Sequence, residues 1–299
     1  LIAIDKTKYL LSHAVPISNT DKIIVEPFNN ISRLEKLFKK EHDIAPVIMD
    51  ASMHAGGLWG TTKKYLKELR YLTKKYNIIL IFDEVITGFR LSSGGAQKYF
   101  NIKPDLCTLA KAMGAGEKIA AVSGKKKIMN ILDPSIDNDT YVFQSGTVND
   151  GANALSSMIA ALKVYKSLEK NNKYSELNNK AIKLKKELIN AFGEVNIPCK
   201  INQVGSMLQI FISPKKLNFF NLDKRFNSII ELFYLALINQ NILLSLPTSN
   251  HIYLSFIHTD RDLSKIIREC DNSNFFIIRF ISFVFLISLT KSLKTNKFL

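Results

Sequence analysis

The chain is poor in the residues that staple small folds. It has three cysteines, Cys107, Cys199 and Cys270, in 299 residues. They are odd in number and far apart, and no pair has metal-ligand spacing. That excludes a disulfide scaffold and a cysteine-built metal site. Free thiols of this kind fit a reducing compartment, so a cytoplasmic location is expected. Glycine and proline are scarce, 13 and 8 residues, which excludes a collagen-like repeat. No internal repeat or low-complexity linker occurs. Negative charge is in short supply, 26 acidic against 41 basic residues, a formal net charge of +15. Hydrophobic residues at 46% and charged residues at 22% are ordinary for a globular protein and exclude a disordered chain. The length suits one large or two medium domains.

The charge excess invites a polyanion partner, and its placement answers the question. Lys36, Lys39, Lys40, Lys63, Lys64, Lys67, Lys74 and Lys75 fall on polar faces of expected helices, as do the lysines of 180–186. The one dense run is Lys125 to Lys127. No aromatic residues interleave with it as a nucleic-acid platform requires. Solvated helix faces account for the charge, and no nucleic-acid partner is expected.

Both ends are unusual. The chain opens on Leu1, without the basic-then-apolar layout of a signal peptide. At the other end, the apolar run Phe275 to Leu289 is short for a bilayer span and contains Arg279. The stretch 274–299 is built almost wholly from Phe, Ile, Leu, Ser, Lys, Thr and Asn, as out-of-frame translation of AT-rich DNA would give. It is expected to lie outside the fold, and no membrane association is expected despite its apolar character.

Short apolar runs alternate with longer amphipathic ones, the pattern of an α/β layer fold. Strands are expected at 23–28, 45–49, 78–82, 105–109 and 119–123. Helices are expected at 32–40, from a Thr61/Thr62 cap to about Tyr76, at about 150–168 and at about 174–192. The continuous run IILIF, Ile78 to Phe82, reads as a strand covered on both faces, as in a parallel sheet. Beyond it, strands are expected at 207–212, 242–245 and 252–256 around a helix near 226–238. A domain boundary is expected near residue 160.

Three places can carry chemistry. IILIF ends in Asp83 and Glu84, and functional groups of open α/β sheets gather at the carboxyl ends of strands. A helix cap or a salt bridge to Arg90 is the plain alternative. The strand LCTL ends just before Ala110 and Lys111, and small, apolar residues follow. Desolvation lowers a lysine's pKa and makes its amine nucleophilic. A snorkelling surface lysine is the alternative. Third, Gly146 and Thr147 precede a long helix, where backbone N–H groups and a hydroxyl can meet a phosphate. An ordinary N-cap is the alternative. Together, the acid, the lysine and the phosphate contact match the needs of pyridoxal phosphate: a carboxylate for the pyridine nitrogen, an amine for the Schiff base and donors for the phosphate.

The stretch LIFDEVITGFRLSSGGAQKYFNIKPDLCTLAKAMGAG, Leu80 to Gly116, resembles the class III pyridoxal-phosphate aminotransferases. Its ITGFR and GGAQ segments are most similar to the glutamate-1-semialdehyde 2,1-aminomutase branch. FQSGT (Phe143 to Thr147) resembles the family's phosphate segment from a neighbouring subunit. EPFNN (Glu26 to Asn30), VGSMLQIF (Val204 to Phe211) and LSFIHTDRDL (Leu254 to Leu263) resemble further family segments, so the likeness runs from about residue 20 to about 272.

The resemblance implies fold type I, a three-layer large domain with a mixed, mostly parallel sheet, plus a smaller α+β C-terminal domain. Residues 1–160 would be the later part of the cofactor-binding domain, 161–273 the small domain, and 274–299 an appended tail. It implies pyridoxal 5'-phosphate, a small amino or oxo substrate, a homodimer when full length, and no metal. Lys111 would form the Schiff base, Asp83 would hold the pyridine nitrogen, and Thr147 with Gly146 would take the phosphate across the dimer. Met53 stands where a polar residue often touches the cofactor's phenolic oxygen. His54 and Arg90 are weaker substrate-binding candidates.

The departures are specific. The upstream phosphate loop and the ring-stacking aromatic would precede Leu1. Asp50-Ala51 replaces a Glu-Pro, and Ser249-Asn250-His251-Ile252 stands where aminomutases tend to have Phe-Glu-Ala-Gly. The expected activity is amino transfer or aminomutase-type exchange, with weak cofactor retention by this chain. The alternative is an inactive relative serving as a binding subunit.

Overall fold

The computed structural model describes residues 23–136, 141–147, 149–194, 198–212, 227–243 and 251–270. They fall into two compact units. The first runs to His54 and resumes over Gly60–Tyr174; the second takes Ala55–Trp59 and the residues from Ser175 onward.

The first unit is a four-stranded sheet with helices. Helix α1 (Ile31–Lys40) starts at Asn30, whose side chain accepts the Arg33 N–H at 3.1 Å, and it buries Leu34 and Phe38. Strand β1 (Pro46–Met49) follows. Thr62 caps α2 (Lys63–Lys75) by accepting the Tyr65 N–H at 3.0 Å. Then come β2 (Ile79–Glu84), α3 (Gly95–Phe100), β3 (Leu106–Leu109), β4 (Ala121–Gly124), α4 (Lys126–Met129) and α5 (Ala152–Lys170). The sheet order is β1-β2-β3-β4. The first three strands are parallel, with Met49 opposite Phe82 and Asp83 opposite Thr108; β4 is antiparallel to β3. The carboxyl ends of β1, β2 and β3 therefore share one edge.

Strand β2 shows how one sequence faces two environments. Leu80, Phe82 and Glu84 are buried on one side, while Ile79, Ile81 and Asp83 are half-buried on the other. Adjacent carboxylates thus point to opposite faces.

The second unit holds most of α6 (Lys173–Glu194), then β5 (Cys199–Val204), β6 (Met207–Ile212), α7 (Asn227–Asn239), β7 (His251–Tyr253) and α8 (Asp260–Cys270). The strands form an antiparallel sheet, β5-β6-β7. Leu177, Ala181, Leu184, Leu188 and Phe192 of α6 recur every three or four residues and are buried against β6 and α7 residues such as Leu208, Ile210, Phe233 and Tyr234. Lys183 and Lys186 lie on the exposed face, as a solvated lysine face requires.

Three sequence expectations differ from the structure. Residues 23–28 were expected as a strand; they form coil leading into a turn, with Ile23 and Ile24 exposed. Apolar content alone does not make a strand without a partner to complete the ladder. Residue 160 lies inside α5, and the two units divide after Tyr174, in the first turn of α6. The cause is local: the hydroxyls of Tyr165 and Tyr174 donate to Ala112 O (2.7 Å) and Phe89 O (2.9 Å), tying all of α5 to the first unit. Ile242 and Leu243 are not in a strand. The rest of that expected strand, Ser249-Asn250 and the tail 274–299 lie outside the described residues.

Candidate active site

The shared carboxyl edge of β1, β2 and β3 collects Asp50, Asp83 and Lys111. Asp83, at the end of β2, accepts the Val85 N–H (3.0 Å) and the Thr108 hydroxyl (3.2 Å) on Oδ1. Among the described residues, no donor reaches Oδ2 and no cation pairs with the group. Asp83 is neither a helix cap nor an Arg90 partner. Arg90 is half-buried and stands beside the phenols of Tyr165 and Tyr174, acting on both electrostatically.

Glu84 is the contrasting neighbour. It is 1% exposed and accepts the Ala96 N–H (2.5 Å), the Gln97 N–H (3.3 Å) and the Thr87 hydroxyl (3.2 Å). Burial pushes its carboxyl pKa up against those bonds. Gly95 makes the approach possible: its φ is +64°, and a Cβ there would lie 1.9 Å from Glu84 Oε2. Glu84 is a saturated structural carboxylate at the start of α3.

Asp50 follows β1 directly. Its Oδ1 accepts the Ser52 N–H and hydroxyl, both at 2.8 Å, and its Oδ2 accepts the His54 N–H at 2.7 Å. Burial raises its pKa against these bonds, and the nearby Asp83 charge raises it further. The two carboxylates therefore interact across the β1–β2 edge. Asp50 orders the turn that carries Met53 and His54, both buried, with Met53 at φ +50°. The sequence flagged Asp50 only as a departure from the family. Its signal was the one that marked Asp83, a carboxylate ending an apolar strand.

Lys111 opens a 3₁₀ turn, Lys111–Gly114, one residue beyond β3. Its φ is +50°, a left-handed conformation that costs a non-glycine residue about 1–2 kcal/mol. The turn is tied to α5 by the Tyr165 bond to Ala112 O and by the Ser157 hydroxyl, which donates to Gly114 O at 2.9 Å. The side chain is exposed, and among the described residues no carboxylate pairs with it. The expected desolvation by small, apolar neighbours is not what surrounds it; those neighbours make a tight turn that presents the amine outward.

Gly146 and Thr147 lie on an exposed segment. Thr147 is not the cap of α5; Gly151 holds that position. Neither residue hydrogen-bonds to Asp50, Asp83 or Lys111. The fold thus brings together Asp83, Lys111 and the Asp50–Met53–His54 turn, and leaves Gly146 and Thr147 facing outward. Of the basic run, Lys125 is engaged in an ion pair with Asp105 at 2.5 Å. Among the described residues, no cluster of His, Cys, Asp and Glu can hold a metal ion. None of their helices is long and apolar enough to cross a membrane.

A mixed, mostly parallel sheet with its helices is the architecture of the fold type I transferases. The family model for aminotransferase class III matches residues 6–252, and the chain belongs to that family. A glutamate-1-semialdehyde 2,1-aminomutase from Nitrosopumilus maritimus is 37% identical over 243 residues, 81% of this chain and 56% of its own length. One from Sulfurisphaera tokodaii is 39% identical over 214 residues, 72% of this chain and 49% of its own. The crystal structure of an omega-transaminase from Sphaerobacter thermophilus is similar with a TM-score of 0.78 and 25% identity, over 87% of this chain and 58% of that one. The chain thus spans about half the length of these relatives.

Proposed function

We propose that the protein takes part in pyridoxal-phosphate-dependent amino-group transfer, with Lys111 and Asp83 as its reactive centre. One observation carries this reading. A free primary amine and a half-buried carboxylate with an open oxygen stand on the ends of neighbouring parallel strands, while every other strand-end carboxylate described is saturated. That donor set fits an aldehyde-bearing pyridine. When bound, the cofactor supplies a carbonyl that condenses with amines and a ring that accepts electrons released at a substrate carbon.

The chain's residues divide the remaining work. Asp83 would hold the proton on the pyridine nitrogen through Oδ2, the oxygen its own fold leaves open. Lys111 Nζ would hold the cofactor's aldehyde carbon, and once displaced by a substrate amine it would carry a proton as a general acid and base. Asp50 fixes the turn that places Met53 and His54 beside that edge, with Met53 an apolar wall and His54 a substrate contact. Arg90 is the second substrate candidate. Gly146 and Thr147, facing outward, suit a phosphate in the neighbouring subunit of a homodimer. The first unit would be the later part of the cofactor domain and the second the small domain. The names of the sequence relatives favour a glutamate-1-semialdehyde aminomutase role, and the free thiols of Cys107 and Cys199 suit a cytoplasmic location.

The test is a spectral titration of the chain with excess pyridoxal phosphate. A visible absorption band should appear, and Lys111→Ala should abolish it while lowering any amino-transfer rate by about 100–10,000-fold. An equal band in Lys111→Ala would refute the assignment.

A further inference from the structure

The Lys111 turn is bracketed by two non-glycine residues in left-handed backbone, Lys111 at φ +50° and Ala115 at φ +49°. Between them lie the two carbonyls that α5 engages: Tyr165 donates to Ala112 O at 2.7 Å and Ser157 to Gly114 O at 2.9 Å. Ser157, Ala161 and Tyr165 follow one another at four-residue steps, one stripe on the helix. Ala161 is buried, and its single methyl lets the turn lie close. The Tyr165 ring is itself held, stacked on Phe89 with centroids 5.3 Å apart, while Tyr174 donates to Phe89 O at 2.9 Å.

We propose that Tyr165 and Ser157 are positioning residues for Lys111. Neither touches Nζ. They over-determine a turn that also closes on itself through Met113 N–H to Ala110 O (3.1 Å), Ala115 N–H to Ala112 O (3.3 Å) and Glu117 N–H to Gly114 O (3.0 Å). A strained φ persists only where its surroundings enforce it. Without the two hydroxyls, Lys111 relaxes toward ordinary backbone, its Cα–Cβ direction swings, and the amine leaves the edge it shares with Asp83. The inference rests on the reading of Lys111 as the cofactor lysine.

Reductive trapping separates the two claims. Lys111 Nζ condenses with the pyridoxal phosphate aldehyde, forming a C=N bond and releasing water. Borohydride then delivers hydride to carbon, water protonates nitrogen, and peptide mapping gives the rate at each lysine. In the wild-type chain, Lys111 should be trapped faster than exposed Lys118. Tyr165→Phe and Ser157→Ala should each slow trapping at Lys111 about fivefold, the loss of one hydrogen bond, and the double variant should slow it more than either. Lys118 should be unaffected, and Ser157→Thr, which keeps the hydroxyl, should restore the rate. Wild-type trapping of Lys111 in the double variant would overturn the positioning role. So would a uniform slowing at all lysines together with a lowered Tm, the mark of general loosening. Wild-type trapping no faster at Lys111 than at Lys118 would overturn the cofactor-lysine reading, and the positioning role with it.

Discussion

The two edges of the sheet in the first unit treat charge in opposite ways. At the amino edge of β2 and β3, Asp105 is buried and fully engaged. It receives two bonds from Arg70 (2.6 and 3.3 Å), the Leu80 N–H (2.8 Å) and the Lys125 ammonium (2.5 Å). Burial raises its pKa, but the Arg70 bonds, the Leu80 N–H and Lys125 outweigh that and bring it down to about 2. At the carboxyl edge, on the face opposite saturated Glu84, no described residue engages Asp83 Oδ2 or pairs with the Lys111 amine, and Asp50 and Asp83 repel each other. Charge that stabilises a fold is neutralised in place; charge left without a partner is available to a ligand.

This contrast can be broken by substitution. The largest effect belongs to Asp105→Asn, which strands the Arg70 guanidinium in a buried site and should lower unfolding free energy by about 3–5 kcal/mol in urea melts. Gly95→Ala should cost about 3 kcal/mol by the same measurement, because a left-handed alanine there also displaces the Glu84 carboxylate from Ala96. Acid titration comes next. The folded pKa of Asp105 lies below the unfolded value of 3.8, so its contribution is present above that value and is lost as pH falls toward about 2. The loss is about 2 kcal/mol and should vanish in Asp105→Asn. Asp83→Asn is the smallest: the amide oxygen still accepts from Val85 and Thr108, so stability should change by less than about 0.5 kcal/mol.

Much of this was legible in the sequence because the signals are local. Thr62 caps its helix through its side-chain oxygen, IILIF forms an inner parallel strand, and the helix of 63–75 ends where Tyr76 and Asn77 stop it. What was not legible depends on partners. Residues 23–28 have strand-like composition and no described ladder to join. Asp83 and Glu84 are indistinguishable as neighbours in the chain; the alternation of β2, with α3 and Gly95 on one face, separates the structural acid from the open one. The left-handed backbone of Lys111 has no marker in its residue type, and its clamp comes from α5, more than forty residues further on. Tyr165 and Ser157 look like ordinary helix residues until the turn is seen against them.

The contrast makes the open carboxyl edge a ligand site and the saturated amino edge a structural one. The most direct test titrates Asp83→Asn with pyridoxal phosphate and compares it with the wild-type chain under conditions where both are folded. Tm should be unchanged, the visible band weakened or shifted, and cofactor affinity at least about tenfold lower, the loss of one charge-assisted bond. An unchanged spectrum and affinity, or a Tm lowered as far as in Asp105→Asn, would contradict that contrast.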